Sequence, residues 1–214
     1  MTENGISRRS FIVGAAVTAA SVATMGFGLV GCGKKGGGGG TYGNLCTALQ
    51  TEADDIAKYN VYAEVASAEG YEQVERLCKA VAAAEQVHMG RIFTFASTMN
   101  PKCALPEGAA ATAGATDANL MAAVVQETEE CGVTYPAYIA AANEEGYAEV
   151  VSLLDRTRKA EGFHAQLFFD CYNNLQRLDG ATYYVCPICG FVSKGELDGA
   201  CPICDTTFNA FQSF

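Results

Sequence analysis

Glu85-Gln86-Val87-His88 and Glu161-Gly162-Phe163-His164 decide how this chain is read. Residues three apart on a helix face the same way, so each tetrapeptide aims a carboxylate and an imidazole at one point. Each also interrupts an apolar stripe of helical period. Val74, Leu77, Val81, then Ile92 and Phe95 flank the first; Val150, Leu153, Thr157, then Phe168 and Cys171 flank the second. A single Glu-x-x-His is weak, because solvated glutamates and ordinary histidines match it by chance. Here the sequence has only two histidines, and both stand in this motif on a core stripe.

Working outward, a shift of 76 residues superposes Tyr59 on Tyr135, Tyr62 on Tyr138, Glu69-Gly70-Tyr71 on Glu145-Gly146-Tyr147, Val74 on Val150, Leu77 on Leu153, Glu85 on Glu161, His88 on His164 and Phe93 on Phe169. Upstream the shift falls to 75, pairing Asn44-Leu45 with Asn119-Leu120 and Glu52 with Glu127. The chain is therefore a duplicated helical hairpin with one extra residue between Glu127 and Tyr135. A single inserted residue is commonly absorbed as a π-bulge, which is expected in the third helix. Pro and Gly concentrate in a break from Asn100 to Thr116, with Asp117 as the expected N-cap beyond it. Two hairpins joined by one long connection give an all-α fold, a four-helix bundle of ferritin-like crossover topology over residues 44–180.

The remaining helices each supply a glutamate on the core stripe. Glu52 lies among Leu45, Leu49, Ile56 and Tyr59, and Glu127 follows Leu120 and Val124. One Glu from each of two helices plus Glu-x-x-His from the other two makes a dinuclear carboxylate cage. Buried carboxylates need cations to neutralise them, and oxygen-rich ligation with imidazole suits iron or manganese better than zinc.

Residues 181–214 carry a second metal signal. Cys186-Pro187-Ile188-Cys189 and Cys201-Pro202-Ile203-Cys204, with 11 residues between the pairs, form two knuckles for one tetrahedral ion. Four thiolates hold iron or zinc, and spacing does not choose. Tyr184, Phe208 and Phe211 resemble the small core of a rubredoxin. Gly190 suits the positive backbone angle of a knuckle; Asp205, at the matching position, tolerates it less well. Cys46, Cys78, Cys103, Cys131 and Cys171 read as small buried hydrophobes, with Cys131 beside Glu130 as a candidate for redox behaviour.

The 214-residue chain is half hydrophobic and carries a formal charge of −10, so it can bury a core and is unsuited to nucleic acid. Ser7-Arg8-Arg9-Ser10-Phe11-Ile12, an apolar run and Leu29-Val30-Gly31-Cys32 resemble a bacterial twin-arginine signal over residues 1–31 feeding a lipobox. The expectation is an extracytoplasmic lipoprotein anchored to the membrane through lipidated Cys32, with residues 32–43 as a Gly-rich tether. The plain alternative is an uncleaved membrane helix. The twin-arginine route carries folded proteins, which suits a cofactor loaded before export.

From about Asn44 to the C-terminus, these residues resemble the rubrerythrin family. The resemblance matches Glu52, Glu127 and the pairs Glu85/His88 and Glu161/His164 to the family's ligands, and Glu130 to an additional glutamate that exchanges with His88 as an iron changes oxidation state. Tyr135-Pro136 follows that glutamate as in the family, and Tyr59 and Tyr135 would orient carboxylates. Implied are two irons in the cage, one iron (zinc possible) on the four cysteines, and reduction of hydrogen peroxide to water with electrons returned singly through the tetracysteine site. The catalytic residues would be Glu52, Glu85, His88, Glu127, Glu130, Glu161 and His164. The donor would be an unidentified exported or membrane redox protein, and a head-to-tail homodimer would bring one chain's small domain to its partner's cage. Iron oxidation or storage without peroxide turnover, or simple electron transfer, is the alternative. The sequence departs from the family at Thr51-Glu52-Ala53 and Asp54-Asp55, where small or amide residues are usual after the first ligand. Asp55 aligns with Glu130 at the shift of 75 and reads as an exposed helix-face acid, or alternatively as an eighth carboxylate near the metals.

Overall fold

The computed structural model describes residues 40–214. The expected signal, Cys32 and most of the tether lie outside the described residues. Two long helices, α1 (Thr41–Ala68) and α2 (Glu72–Met99), form the first hairpin. The second begins with α3 (Thr116–Glu129), continues through a π-helical turn (Glu130–Thr134) into α4 (Tyr135–Glu144), and returns as α5 (Ala148–Asn174). The π-turn falls where the extra residue was expected. Tyr135 N–H reaches back to the Glu130 carbonyl, and Pro136, which has no N–H to give, opens α4.

The repeated Glu-Gly-Tyr triplet has a structural cause. Gly70 and Gly146 end α1 and α4 with φ of 82° and 81°, a left-handed backbone that favours glycine. The glutamate before each glycine reaches across to the other hairpin. Glu69 accepts the Thr116 N–H at 3.0 Å, and Glu145 accepts the Thr41 N–H at 3.1 Å. Each hairpin turn thus caps the first helix of its partner, supplying the acceptor and negative charge that a helix N-terminus lacks. This corrects two expectations. Helix α1 starts at Thr41 rather than at Asn44, and α3 starts at Thr116 with Asp117 inside its first turn, where its carboxylate accepts only the next N–H, that of Ala118.

Between the hairpins, residues 100–115 cross over without regular structure. They are tied to α1 where Asp54 accepts the Ala109 N–H at 2.7 Å and Gln50 donates to the Glu107 carbonyl at 3.1 Å. The apolar core of the bundle forms two clusters. Tyr59, Leu77, Val81, Leu120 and Phe168 belong to one, and Leu45, Leu49, Ile92, Tyr135 and Leu154 to the other. The expected stripes are buried with small phase errors: Leu154 and Ala96 are fully enclosed, while Leu153 and Phe95 pack at the edge.

After a short 3-10 turn (Leu175–Arg177), the chain enters a three-stranded antiparallel sheet of β1 (Tyr183–Val185), β2 (Val192–Lys194) and β3 (Gln212–Ser213), in the order β2-β1-β3. The sheet docks on α2. Arg76 donates to the carbonyls of Ala181 and Gly180 at 3.1 and 3.0 Å, and Gln73 accepts the Gly180 N–H and donates to the buried Tyr183 hydroxyl. Among the described residues no helix is long and apolar enough to cross a membrane.

The reciprocal caps sit at opposite ends of α1. Glu69→Ala and Glu145→Ala are each expected to cost about 1 kcal/mol, with additive losses in the double variant. Urea unfolding of the metal-free protein measures this, and a single variant as stable as the parent contradicts it.

Candidate metal centre

Four helices bring Glu52, Glu85, His88, Glu127, Glu161 and His164 into the space between the apolar clusters, each at most 1% exposed. Their atoms form two groups of potential ligands, Glu52, Glu85, His88 and Glu161 in one and Glu85, Glu127, Glu161 and His164 in the other. Glu85 and Glu161 belong to both, each giving one oxygen to either group. His88 Nδ1 lies 2.7 Å from Glu85 Oε2, 3.1 Å from Glu161 Oε1 and 3.7 Å from Glu52 Oε2. His164 Nδ1 lies 3.0 Å from Glu161 Oε2, 3.3 Å from Glu85 Oε1 and 3.5 Å from Glu127 Oε2. The sequence repeat has become a pseudo-twofold cage.

The opposite ring nitrogens settle the tautomer. His88 Nε2 is 3.0 Å from the Cys189 carbonyl, and His164 Nε2 is 2.9 Å from the Gly190 carbonyl. A carbonyl only accepts, so each Nε2 carries the proton and each neutral imidazole presents its Nδ1 lone pair to three carboxylate oxygens. Lone pairs facing lone pairs require a cation between them. Glu52 Oε2, Glu85 Oε1, Glu127 Oε2, both Glu161 oxygens and His164 Nδ1 are buried without a hydrogen-bond partner. At about 1–3 kcal/mol each, such atoms would offset an ordinary folding stability of about 5–15 kcal/mol. Two metal ions fit this donor set.

The hydroxyls of Tyr59 and Tyr135 complete the exchange between hairpins. Tyr59 donates to Glu127 Oε1 and Tyr135 donates to Glu52 Oε1, so each tyrosine fixes the terminal glutamate of the other half. Glu130 is also buried but belongs to neither ligand group; its Oε1 accepts from Gln126 Nε2. Asp55 is 3% exposed rather than solvated, because α1 turns this face toward the π-turn. It pairs with Lys58 and faces Glu130. Lys58 and Gln126 escaped the sequence reading. Gln126 stands four residues before Glu130, a spacing that could have exposed it; Lys58 has no cationic counterpart in the second hairpin to flag it.

The four knuckle cysteines converge as expected. Sγ of Cys186 and Cys204 are 3.5 Å apart, as are those of Cys189 and Cys201, close to the tetrahedral edge that metal–sulfur bonds of about 2.3 Å require. Each knuckle closes alike, with Gly190 N–H on the Cys186 carbonyl and Asp205 N–H on the Cys201 carbonyl, both at 3.0 Å. Asp205 does adopt the left-handed angle, with φ of 59°. Around the knuckles, the Tyr184 and Phe208 rings are centred 5.0 Å apart, and those of Phe208 and Phe211 5.3 Å. Of the other cysteines, Cys78 and Cys171 are buried as expected, whereas Cys46, Cys103 and Cys131 are only half-buried.

The tetracysteine knuckle touches both cage histidines of its own chain, so the two clusters meet within one chain rather than standing far apart in it. Gly190 makes this approach possible: a Cβ there would stand 2.2 Å from His88 Nε2.

Helices, crossover and cage together define a ferritin-like dinuclear carboxylate protein with a small tetrathiolate domain. The Rubrerythrin family model matches residues 43–172. Nigerythrin of Nitratidesulfovibrio vulgaris is 37% identical over 176 residues, 82% of this chain and 87% of that protein. Rubrerythrin of the same organism is 31% identical over 177 residues, 78% of this chain and 90% of that protein. A solved structure described as the fully reduced, all-ferrous state of nigerythrin covers 84% of this chain and 89% of its own, with a TM-score of 0.81 at 37% identity. The chain belongs to the rubrerythrin family. In that family such clusters hold a di-iron pair and a single iron, and the residues here fit both.

Without metals, protons must take the cations' place. Burial and then repulsion from Glu85 push Glu127 up to about 8, net of the opposing His164 contact. Burial also raises Glu52, and the histidines are raised because Glu161 and Glu85 outweigh the opposing effect of their burial. Groups that hold protons more tightly when folded lose stability as pH rises. Glu85 is lowered, because the two imidazoles outweigh its burial, and its opposite contribution is lost only below the ordinary carboxylate range. The metal-free protein should therefore melt at a lower temperature near pH 8 than near about pH 5, and iron loading should abolish the fall by displacing those protons. Scanning calorimetry tests this, and a metal-free midpoint that rises over the interval contradicts it. Gly190→Ala should break the His88–Cys189 contact and, if the knuckle iron feeds the cage, slow reduction of the cage in stopped-flow mixing. An unchanged rate would show the close approach to be unnecessary.

Proposed function

We propose that this protein is a peroxidase that reduces hydrogen peroxide to water at its dinuclear cage, with electrons arriving one at a time through the tetracysteine iron. One observation carries the reading: each cage imidazole gives Nδ1 to the metal position and donates Nε2–H to a knuckle carbonyl. The relay is thereby reduced to covalent bonds and a single hydrogen bond. When bound, the iron pair supplies the two electrons that, with two protons, convert one peroxide to two waters.

The chain's own residues do the rest. Glu85 and Glu161, which belong to both ligand groups, would hold both metals, and Glu52 and Glu127 would close the ends under the grip of Tyr135 and Tyr59. The apolar clusters on either side keep bulk water from the donor atoms. Glu130, in the π-turn that follows the helix of Glu127 and buried outside the ligand groups, would be the carboxylate available to exchange with His88. A homodimer that exchanged its small domains would keep the same histidine–carbonyl contacts, so the relay holds for either assembly. The N-terminal motifs support an exported, lipid-anchored protein whose donor is another exported or membrane redox protein.

Anaerobic titration of the reduced, iron-loaded protein with hydrogen peroxide is the test. One equivalent should oxidise each cage, and added reductant should sustain turnover. Cys204→Ser should leave the first oxidation intact while slowing sustained turnover about 100-fold or more, because knuckle thiolates hold the relaying iron. Consumption that stops at one equivalent in the presence of a competent reductant would favour iron oxidation or storage. A colourless tetracysteine site in the native protein would point to zinc and remove the relay.

A further inference from the structure

Six carboxylates are buried in or beside the cage: Glu52, Glu85, Glu127, Glu161, Asp55 and Glu130. Two divalent ions do not neutralise them all, and a cation reaches in from α1. Lys58 pairs with Asp55, lies over the Tyr59 ring at 4.6 Å, and acts also on Glu127 and Glu130. Glu130 stands outside both ligand groups, held by Gln126 on one side and facing Asp55 on the other.

The arrangement breaks the symmetry of the cage. Asp55 and Glu130 occupy equivalent places in the two hairpins, but the shift that pairs them sets Val133, exposed in the π-turn, opposite Lys58. Asp55 is therefore tied down by an ammonium on its own helix, whereas Glu130 has on its own helix only the neutral amide of Gln126 and meets the ammonium across the helix interface. We propose that Lys58, anchored by Asp55, is a positioning residue that holds the Glu130 carboxylate off the metal positions and so sets how readily Glu130 joins the cage. Asp55 is the anchor of this clamp and not an eighth ligand. The inference deepens the di-iron reading and rests on it, but it does not require peroxide turnover.

The test uses the full chain loaded with iron, with the oxidised-to-reduced ratio of the cage followed by visible absorption and electron paramagnetic resonance at fixed poise. Lys58→Met removes the cation and frees Glu130 to bind, which favours the more highly charged metals; the ratio should move on the order of tenfold toward the oxidised form. Asp55→Asn releases Lys58 toward Glu130 and should move it the other way by a similar factor, with two metals retained per cage. Lys58→Arg keeps the charge and should restore the parent ratio. In a Glu130→Gln background both shifts should vanish, because the clamp then has no carboxylate to hold.

Unchanged ratios overturn the inference, as do shifts of equal size in the Glu130→Gln background, which would mark a bulk charge effect. Loss of a metal in Asp55→Asn would make Asp55 a ligand and overturn it too. Should Lys58→Met fail to fold, the isosteric Asp55→Asn carries the test. Absent peroxide turnover sinks the proposed function alone; variants indistinguishable from the parent in ratio sink this inference alone.

Discussion

Lone pairs confronting lone pairs in a dry interior are the constraint on which the rest depends. Two imidazoles, fixed as Nε2–H tautomers by backbone carbonyls, turn their bare Nδ1 atoms toward glutamate oxygens, most of which have no hydrogen-bond partner. An apolar bundle cannot carry that arrangement at ordinary stability without cations. The cage is therefore at once the weakest part of the metal-free fold and the reason for the metal-loaded one. Its glutamates are costly in the first state and indispensable in the second.

The duplicated hairpin shares this load by reaching across. Glu69 and Glu145 cap the opposite hairpin's first helix, and Tyr59 and Tyr135 steady the opposite hairpin's terminal glutamate. Neither half completes its own hydrogen bonds, so the halves order each other and the bridging glutamates can belong equally to both metal positions. The symmetry fails where chemistry needs a difference. The extra residue of the π-turn sets Glu130 apart from the helix that carries Glu127, and only the first hairpin brings a lysine to the carboxylate pair.

The small domain is tied into the same logic. Gln73 and Arg76 hold its entry segment against α2, and Gly190 lets the knuckle backbone reach the imidazoles. The contact that fixes the histidine tautomers is also the shortest connection between the two metal sites. On the proposed function, orienting a ligand and passing an electron would be served by one pair of hydrogen bonds.

The sequence by itself determined the bundle, the six clustered cage residues, the four knuckle cysteines and the π-turn, because each is local or periodic. Helical spacing aims Glu85 with His88, the repeat supplies Glu161 with His164, and one residue in excess has nowhere to go but a widened turn. Helix starts were less legible, since Thr41 and Thr116 are capped by glutamates more than 40 residues away. Only the tertiary structure decided the burial of Asp55, the reach of Lys58 and the seating of the knuckle on the cage of its own chain. The physical reason is that these depend on which surfaces meet when helices and sheet pack. A periodic pattern says which face of a helix turns inward, and it carries no information about what waits there.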